Sequence, residues 1–306
     1  MNLGFRCISS QALCYRLLRR LSGFMPLPNA LTIAGFDPSG GAGVLADART
    51  FASFGYRASA AITSITFQND SSATGAVHQT AATVRRQLDS LLAEFQFACA
   101  KTGMMATREV VQEVARIFRE SELPAPVLDP VMVSSSEMRL MEADVLDVFV
   151  AELLPIGCVL TPNIPEAEAL TGLNITSEAA MREAAKVIRA SGARAVLIKG
   201  GHLEGRKVEG SKQKAERNEQ KKRLDGESRA IGSEEPALIA EAIDVLDDDG
   251  TVTVFRAAFI RGANIRGSGC ILSAAIAAGL GCGMSLEDSV RQAKSFVLEA
   301  LQKSVN

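Results

Sequence analysis

Ala30-Leu-Thr-Ile-Ala-Gly35 runs through Phe36-Asp37-Pro-Ser-Gly40-Gly41-Ala-Gly43 into Val44–Phe54. The first six residues carry no charge and read as a buried strand. The turn is rich in glycine, and Val44–Phe54 reads as a helix with Asp47 near its start. Strand, glycine turn and helix make one βα unit. In open α/β sheets, ligands bind beyond the carboxyl ends of the strands. Gly35 and Asp47 are therefore candidates to contact a small polar substrate. Asp47 equally suits a helix start, where the dipole stabilises a carboxylate. The spacing is not G-x-G-x-x-G, and the chain contains no G-x-x-x-x-G-K-[ST], so ATP phosphates are not assigned to this turn.

The same alternation continues outward. Ala58–Phe67 reads as a second apolar strand that ends in Gln68-Asn69. Gln68 offers a carboxamide donor and acceptor to a heterocycle edge, or is simply a turn residue. Thr83–Glu94 and Arg108–Arg119 read as helices, with a short strand at Ala98–Met105 between them. Met104 is either an apolar wall for a ring or part of the core. Pro126–Val133 carries a strand whose C-terminal end is Asp129, a usual location for metal or phosphate chemistry. Cys158–Asn163 is another strand, followed by a helix. Asn163 and Glu166 lie three apart on its first turn, where they can hold a hydrated Mg²⁺ or form an N-cap and its capping-box partner. Ser177–Ala190 is a helix. Ala193–Ile198 is a strand that delivers Lys199-Gly-Gly-His202. Lys199 suits a phosphate tail as a point charge or is an ordinary surface lysine, and His202 reads as a turn residue. Ala242–Leu246 and Thr251–Phe255 flank Asp247-Asp-Asp-Gly250, a hairpin signal. Leu286–Leu301 closes the chain as an amphipathic helix. Such alternation implies an α/β fold with a mainly parallel sheet covered on both faces.

The second glycine turn carries the chemistry. Arg266-Gly-Ser-Gly-Cys270 opens directly into Ile271–Leu280, a helix of small residues. Gly267 and Gly269 let backbone N–H groups approach a bound group. The free N–H donors and positive dipole end of the helix make an anion site suited to phosphate. Cys270 lies where that helix begins, a position that lowers a thiol's pKa toward neutrality. A base beside a phosphate cradle suggests proton removal from a hydroxyl that attacks a phosphoryl group. A buried cysteine capping a glycine turn is the plainer alternative.

Composition narrows the classes. The 306 residues are 47% hydrophobic with a net charge of −2, so a large core is available and no basic field points to nucleic acid or membrane. There is no Trp and only two Tyr, which argues against stacking platforms for single strands. Six scattered cysteines without a C-x-x-C pair fit a reducing cytoplasm. Two histidines, His78 and His202, give little support to a histidine metal site or a Ser-His-Asp triad. Residues 1–27 stand apart as an extension. Arg6, Arg16, Arg19 and Arg20 precede the first acid, Asp37. This stretch reads as an organelle transit peptide, or as sequence ahead of a true start at Met25, the reading favoured here. Residues 204–235 are mostly charged and lack aromatics; they read as a mobile insertion between two strands.

Taken together, these stretches resemble the hydroxymethylpyrimidine/phosphomethylpyrimidine kinases of thiamine synthesis, in the ribokinase-like superfamily. The carrying residues are Leu31–Gly43 with Asp47, Thr66–Asn69, Lys101–Met104, Val127–Met132, Leu160–Ala167, Lys199–Leu203 and Gly267–Leu280. The resemblance covers residues 28–203 and 236–303. It implies a three-layer α/β/α domain over 28–303 with a doubly wound, mostly parallel sheet, cytoplasmic location and a homodimer. The reaction it implies moves the ATP γ-phosphoryl group to 4-amino-5-hydroxymethyl-2-methylpyrimidine and then to its monophosphate. The pocket for the pyrimidine would be lined by Gly35, Asp47, Gln68, Met104 and Val131. Asp129, Asn163 and Glu166 would surround Mg-ATP, the metal held through water, with a monovalent cation as a further cofactor. Lys199 would meet ATP phosphates, Gly267, Ser268 and Gly269 would form the anion hole, and Cys270 would be the base. Many relatives have histidine and threonine where this chain has Arg266 and Ser268, and Arg266 is expected to add a cation that assists phosphate binding. The loop Ser134–Glu137 also departs from the family's Ser-Gly turn. A pyridoxal/pyridoxine kinase is the nearest alternative, since that ring also bears a hydroxymethyl group. A non-catalytic ligand-binding protein on the same fold is the alternative of another class.

Overall fold

A computed structural model describes residues 26–69, 71–132, 141, 144–201, 241–258, 260 and 266–305. Most of the N-terminal extension, the Ser134–Glu137 loop, His202 and the charged 204–235 segment lie outside the described residues.

The described strands are β1 (Asn29–Phe36), β2 (Arg57–Gln68), β3 (Ala73–His78), β4 (Phe97–Thr102), β5 (Val127–Leu128), β6 (Val159–Leu160), β7 (Ala195–Lys199), β8 (Glu241–Asp248) and β9 (Thr251–Ala258). They form one sheet in the order β3-β2-β1-β4-β5-β6-β7-β8-β9. From β2 to β7 every pairing is parallel; β3 and the β8–β9 hairpin are antiparallel. The helices are α1 (Gly43–Ser53), α2 (Ala81–Leu92), α3 (Arg108–Glu120), α4 (Val145–Val148), α5 (Ile164–Thr171), α6 (Glu178–Ala190), α7 (Ser268–Gly281) and α8 (Leu286–Val305).

Successive strand residues point to opposite faces, and the core divides accordingly. Leu31, Ile33, Leu128, Leu160, Val196 and Ile198 pack with α2, α3 and α6. Ala30, Val127, Val159, Ala195 and Leu197 pack on the other face with α1, α7 and α8. Strands that are almost free of charge, Lys101 in β4 apart, are what a sheet covered on both sides requires, so the expected α/β/α layering holds. Helix α7 is buried all round because its small residues allow close approach. A Cβ on Gly279 would come within 2.8 Å of Ser289 Oγ, and one on Gly281 within 2.7 Å of the Tyr56 hydroxyl.

Three features differ from the sequence expectation. Strands β5 and β6 are two residues long, because Pro130 and Pro162 follow closely and cannot donate to a ladder. Asp129 and Thr161 still donate their N–H groups to Thr102 and Leu128, at 3.0 and 2.9 Å. Edge strand β3 has no strong pattern of its own and forms on β2. The helical turns over 145–156 also have no counterpart in the sequence pattern, although Val145, Phe149 and Leu153 are buried. The hairpin signal did hold: Asp249 and Gly250 have φ of 48° and 90°, a two-residue turn with both central residues left-handed.

Leu128 is fully buried directly before Asp129. Leu128→Ala should cost about 2–5 kcal/mol in urea unfolding followed by circular dichroism. A loss well under about 1 kcal/mol would mean that the centre of the sheet is not packed as described.

Candidate active site

Two glycine turns are pressed together at the carboxyl ends of the central strands. Gly43 has φ +59°, and a Cβ there would lie 2.2 Å from the Gly35 carbonyl oxygen. Gly267 has φ +74°, and a Cβ there would lie 2.3 Å from the Gly41 carbonyl oxygen. Only glycine permits either approach. The contact brings the N-termini of α1 and α7 side by side, so two sets of unpaired N–H donors share one location. Gly267, Ser268 and Gly269 are half-buried there, and Cys270 is 9% exposed.

Charged side chains assemble around Gly269. A methyl on Gly269 would sit 3.1 Å from Lys199 Nζ and 4.0 Å from Asp129 Oδ2. Lys199 Nζ is 3.2 Å from Asp129 Oδ1. Ser273 Oγ, one turn into α7, donates to Asp129 Oδ2 at 3.2 Å. Asn163 and Glu166 form a full capping box: Glu166 N–H donates to Asn163 Oδ1 at 2.9 Å, and Asn163 N–H donates to Glu166 Oε2 at 2.8 Å. A parallel bridge joins Asn163 to Lys199. The capping-box reading of the Asn163/Glu166 pair therefore holds, and the bridge to Lys199 sets that cap beside the Lys199–Asp129 pair.

A separate apolar group forms around Met104. A Cβ on Gly35 would meet Met104 Sδ at 2.9 Å. Met104 packs with Ala106, Ala76 and Val131. Thr63 Oγ1 donates to the Met104 carbonyl at 2.5 Å. Gln68 is half-buried at the end of β2, where the register with β3 shifts.

Asp47 sits differently from a pocket-lining residue. It is fully buried; Thr32 Oγ1 donates to it at 2.6 Å, and Lys101 Nζ lies 2.9 and 3.0 Å from its two oxygens. Lys101 is itself fully buried and stands 3.9 Å from Asp129 Oδ2. Sequence reasoning gave Lys101 no role. The available signal was a lysine inside an otherwise uncharged strand. Asp37 was missed too: it is 1% exposed and accepts from Ser39 and Ala42 N–H, both at 2.9 Å. Arg266 does not stand as a free cation over the phosphates. Its guanidinium pairs with Asp37 Oδ2 at 3.5 Å and donates to the Asn69 carbonyl.

The site's charges alternate. Burial would lower Lys101, but Asp47, Cys270 and Asp129 raise it. Burial would raise Asp129, but Lys199 and Lys101, with hydrogen bonds from Lys199 and Ser273, hold its carboxyl below the usual range. Burial pushes Asp47 up against the pull of Lys101 and Thr32. It likewise pushes Glu166 up against Lys199. The expected acidic thiol is corrected: burial drives Cys270 up to about 12, with Lys101 and the Gly43 N–H pulling down and Asp129 and Asp47 pushing up. A helix start acidifies a thiol only while water still reaches it. No three His, Cys, Asp or Glu side chains converge as a metal cluster among the described residues.

A family model described as Phosphomethylpyrimidine kinase matches residues 37–306. The chain belongs to that family. It is 36% identical over 273 residues to the hydroxymethylpyrimidine/phosphomethylpyrimidine kinase of Rhizobium meliloti, spanning 89% of this chain and 90% of that one. Among solved structures, the phosphomethylpyrimidine kinase of Clostridium difficile 630 superposes with a TM-score of 0.69 at 28% identity, covering 90% of this chain and 99% of that one. The pyridoxal kinase of Staphylococcus aureus in complex with AMP-PCP and pyridoxal gives a TM-score of 0.72 at 28% identity, covering 90% and 88%. This chain is thus a phosphotransferase of the phosphomethylpyrimidine kinase family with the ribokinase-like fold. No helix among its described residues is long and apolar enough to cross a membrane.

In this kinase, Lys101→Met should leave the Asp47 carboxylate unpaired in the interior and cost about 3–5 kcal/mol of stability. Folded Asp47 would then bind a proton that unfolded Asp47 releases. Stability therefore falls as pH rises, and the deficit should be smaller at about pH 5 than at about pH 8. Thermal unfolding at both pH values checks the sign; a deficit that grows toward acid would contradict the pairing.

Proposed function

We propose that this kinase moves the ATP γ-phosphoryl group to the hydroxymethyl carbon's oxygen of 4-amino-5-hydroxymethyl-2-methylpyrimidine, and a second one to the monophosphate, giving the diphosphate for thiamine synthesis. The observation that carries the reading is that the glycine turn 267–269, which leads into Cys270, stands against Lys199 and Asp129, while Gly35, Met104 and Val131 pack together after neighbouring strands. Phosphoryl transfer demands alignment and charge stabilisation more than covalent work by the protein. Helix-start N–H groups and Lys199 stabilise the equatorial oxygens of the transferred group. Gln68 and the Met104 wall hold the ring so that its hydroxymethyl oxygen points at the anion hole, while Asp47 acts from beneath through Lys101. Cys270 Sγ, as the thiolate left once its own proton has gone to solvent, takes the hydroxyl proton as the alcohol oxygen bonds to the γ-phosphorus and the bond to the leaving ADP breaks.

Asp129, Asn163 and Glu166 suit a hydrated Mg²⁺. Each already has protein partners, so holding the ion through water fits them better than direct ligation by all three. Bound as Mg-ATP, the ion neutralises phosphate charge. No residue is assigned to a monovalent cation. Cytoplasmic work suits the free cysteines Cys99, Cys158, Cys270 and Cys282. A homodimer is supported by Ile65, Phe67 and Val77, which are 40%, 49% and 52% exposed on one face of the β2–β3 edge.

The test is a panel with Mg-ATP: the pyrimidine alcohol, its monophosphate, and pyridoxal, with products resolved by mass. The alcohol and the monophosphate should both gain phosphate; turnover of pyridoxal alone would favour the vitamin B6 reading suggested by the Staphylococcus relative. Cys270→Ala should lower turnover by about 10²-fold or more. For the unsubstituted chain, kcat/KM should climb with pH and show no plateau below about pH 9, because it reports the free thiol, whose pKa is pushed to about 12. A plateau near neutrality would show that another group is the base.

A further inference from the structure

We propose that Arg266 is a positioning residue that clamps the acceptor-side loops to the anion hole and so directs the phosphoryl group to the bound alcohol instead of water. The inference rests on the kinase reading above. Arg266 directly precedes Gly267, so its side chain is placed to reach out over the phosphates. It turns back instead. Its side chain is 17% exposed, and Nη2 lies 3.5 Å from Asp37 Oδ2. Nη1 donates to the Asn69 carbonyl, and Cδ would be 3.4 Å from a Cβ on Gly41. From a backbone position next to the glycine turn 267–269, one guanidinium thus ties the turn after β1 to the end of β2.

Each of those segments presents something to the reacting atoms. Asp37 braces its own turn by accepting from Ser39 N–H and Oγ at 2.9 and 2.7 Å and from Ala42 N–H at 2.9 Å. That turn ends in Gly43, whose N–H draws the Cys270 thiol's pKa down against the effect of burial. Asn69 adjoins Gln68. Besides the guanidinium, the two glycine turns meet through the close approach of Gly267 to Gly41 and Ala42. A planar guanidinium can donate toward a carboxylate and a carbonyl at once, because its two terminal nitrogens diverge in a fixed fork. A lysine ammonium is a single point and cannot span both partners. The chemical consequence concerns alignment: an acceptor oxygen shifted by about 1 Å loses on the order of 10² in rate, and a loosened loop admits water as a competing nucleophile.

The experiment compares Arg266→Met and Arg266→Lys with the unsubstituted chain, measuring phosphorylated pyrimidine and ADP in the same reaction. Both variants should keep KM for ATP within about threefold and lose roughly 10- to 100-fold in kcat for the alcohol. ADP formed per phosphorylated product should rise clearly above one. Free guanidinium at millimolar concentration should restore part of the lost kcat in Arg266→Met and none in Arg266→Lys, a result that mere unfolding would not give. Variants with unchanged kcat and an ADP-to-product ratio of one would overturn the proposal. So would a large rise in KM for ATP at unchanged kcat, which would make Arg266 a phosphate contact. Failure of the unsubstituted chain to phosphorylate any acceptor would instead sink the kinase reading itself.

Discussion

A lysine ammonium with no exposed surface lies between Asp47 and Asp129, and the rest of the site depends on it. Charges taken out of water are tolerated only when paired and hydrogen-bonded. Here the pairing extends into a row of alternating sign: Asp47, Lys101, Asp129, Lys199 and Glu166. The row crosses from α1 through β4, the end of β5 and the end of β7 to α5. On the proposed reading it connects the side that would hold the acceptor to the side that would hold the nucleotide. Removing any member leaves a neighbour uncompensated, so the site behaves electrostatically as one unit.

Above that row lies a surface built from backbone. The glycines let α1 and α7 start side by side, which puts helix-start N–H groups where, on the proposed reading, negative charge gathers as phosphoryl transfer proceeds. Fixed dipoles need no reorganisation at the moment of reaction. The cost of the arrangement is dryness around Cys270, which makes its thiol a weak acid at rest. The same dryness makes the sulfur a strong base once its proton is lost.

Much of the architecture was legible in the chain. Charge-free strands separated by amphipathic helices signal a sheet covered on both faces, and Asp-Gly at 249–250 signals a hairpin. The short extent of β5 and β6 was readable in principle from Pro130 and Pro162, but apolar runs around a proline look like strand until the ladder is traced. Edge strand β3 was not legible, because Ala73–His78 is held by its partner and not by its own pattern. Among site residues, Gly35, Met104 and Val131 were readable as a group only through the family motif. Lys101 was passed over because its partners lie far away in sequence.

The sequence by itself determined the layering, the order of βα units and the family, since hydrophobic periodicity and glycine placement are local and survive without partners. Only the tertiary structure decided what the charged groups do. Asp47 reads as a pocket residue or a helix start until Lys101 is seen against it, and Arg266 reads as a phosphate contact until Asp37 and Asn69 are seen to hold it. Cys270 reads as an acidic thiol until its burial is known. The reason is that side-chain charge acts through distance and desolvation, and both depend on which distant segments the fold brings together.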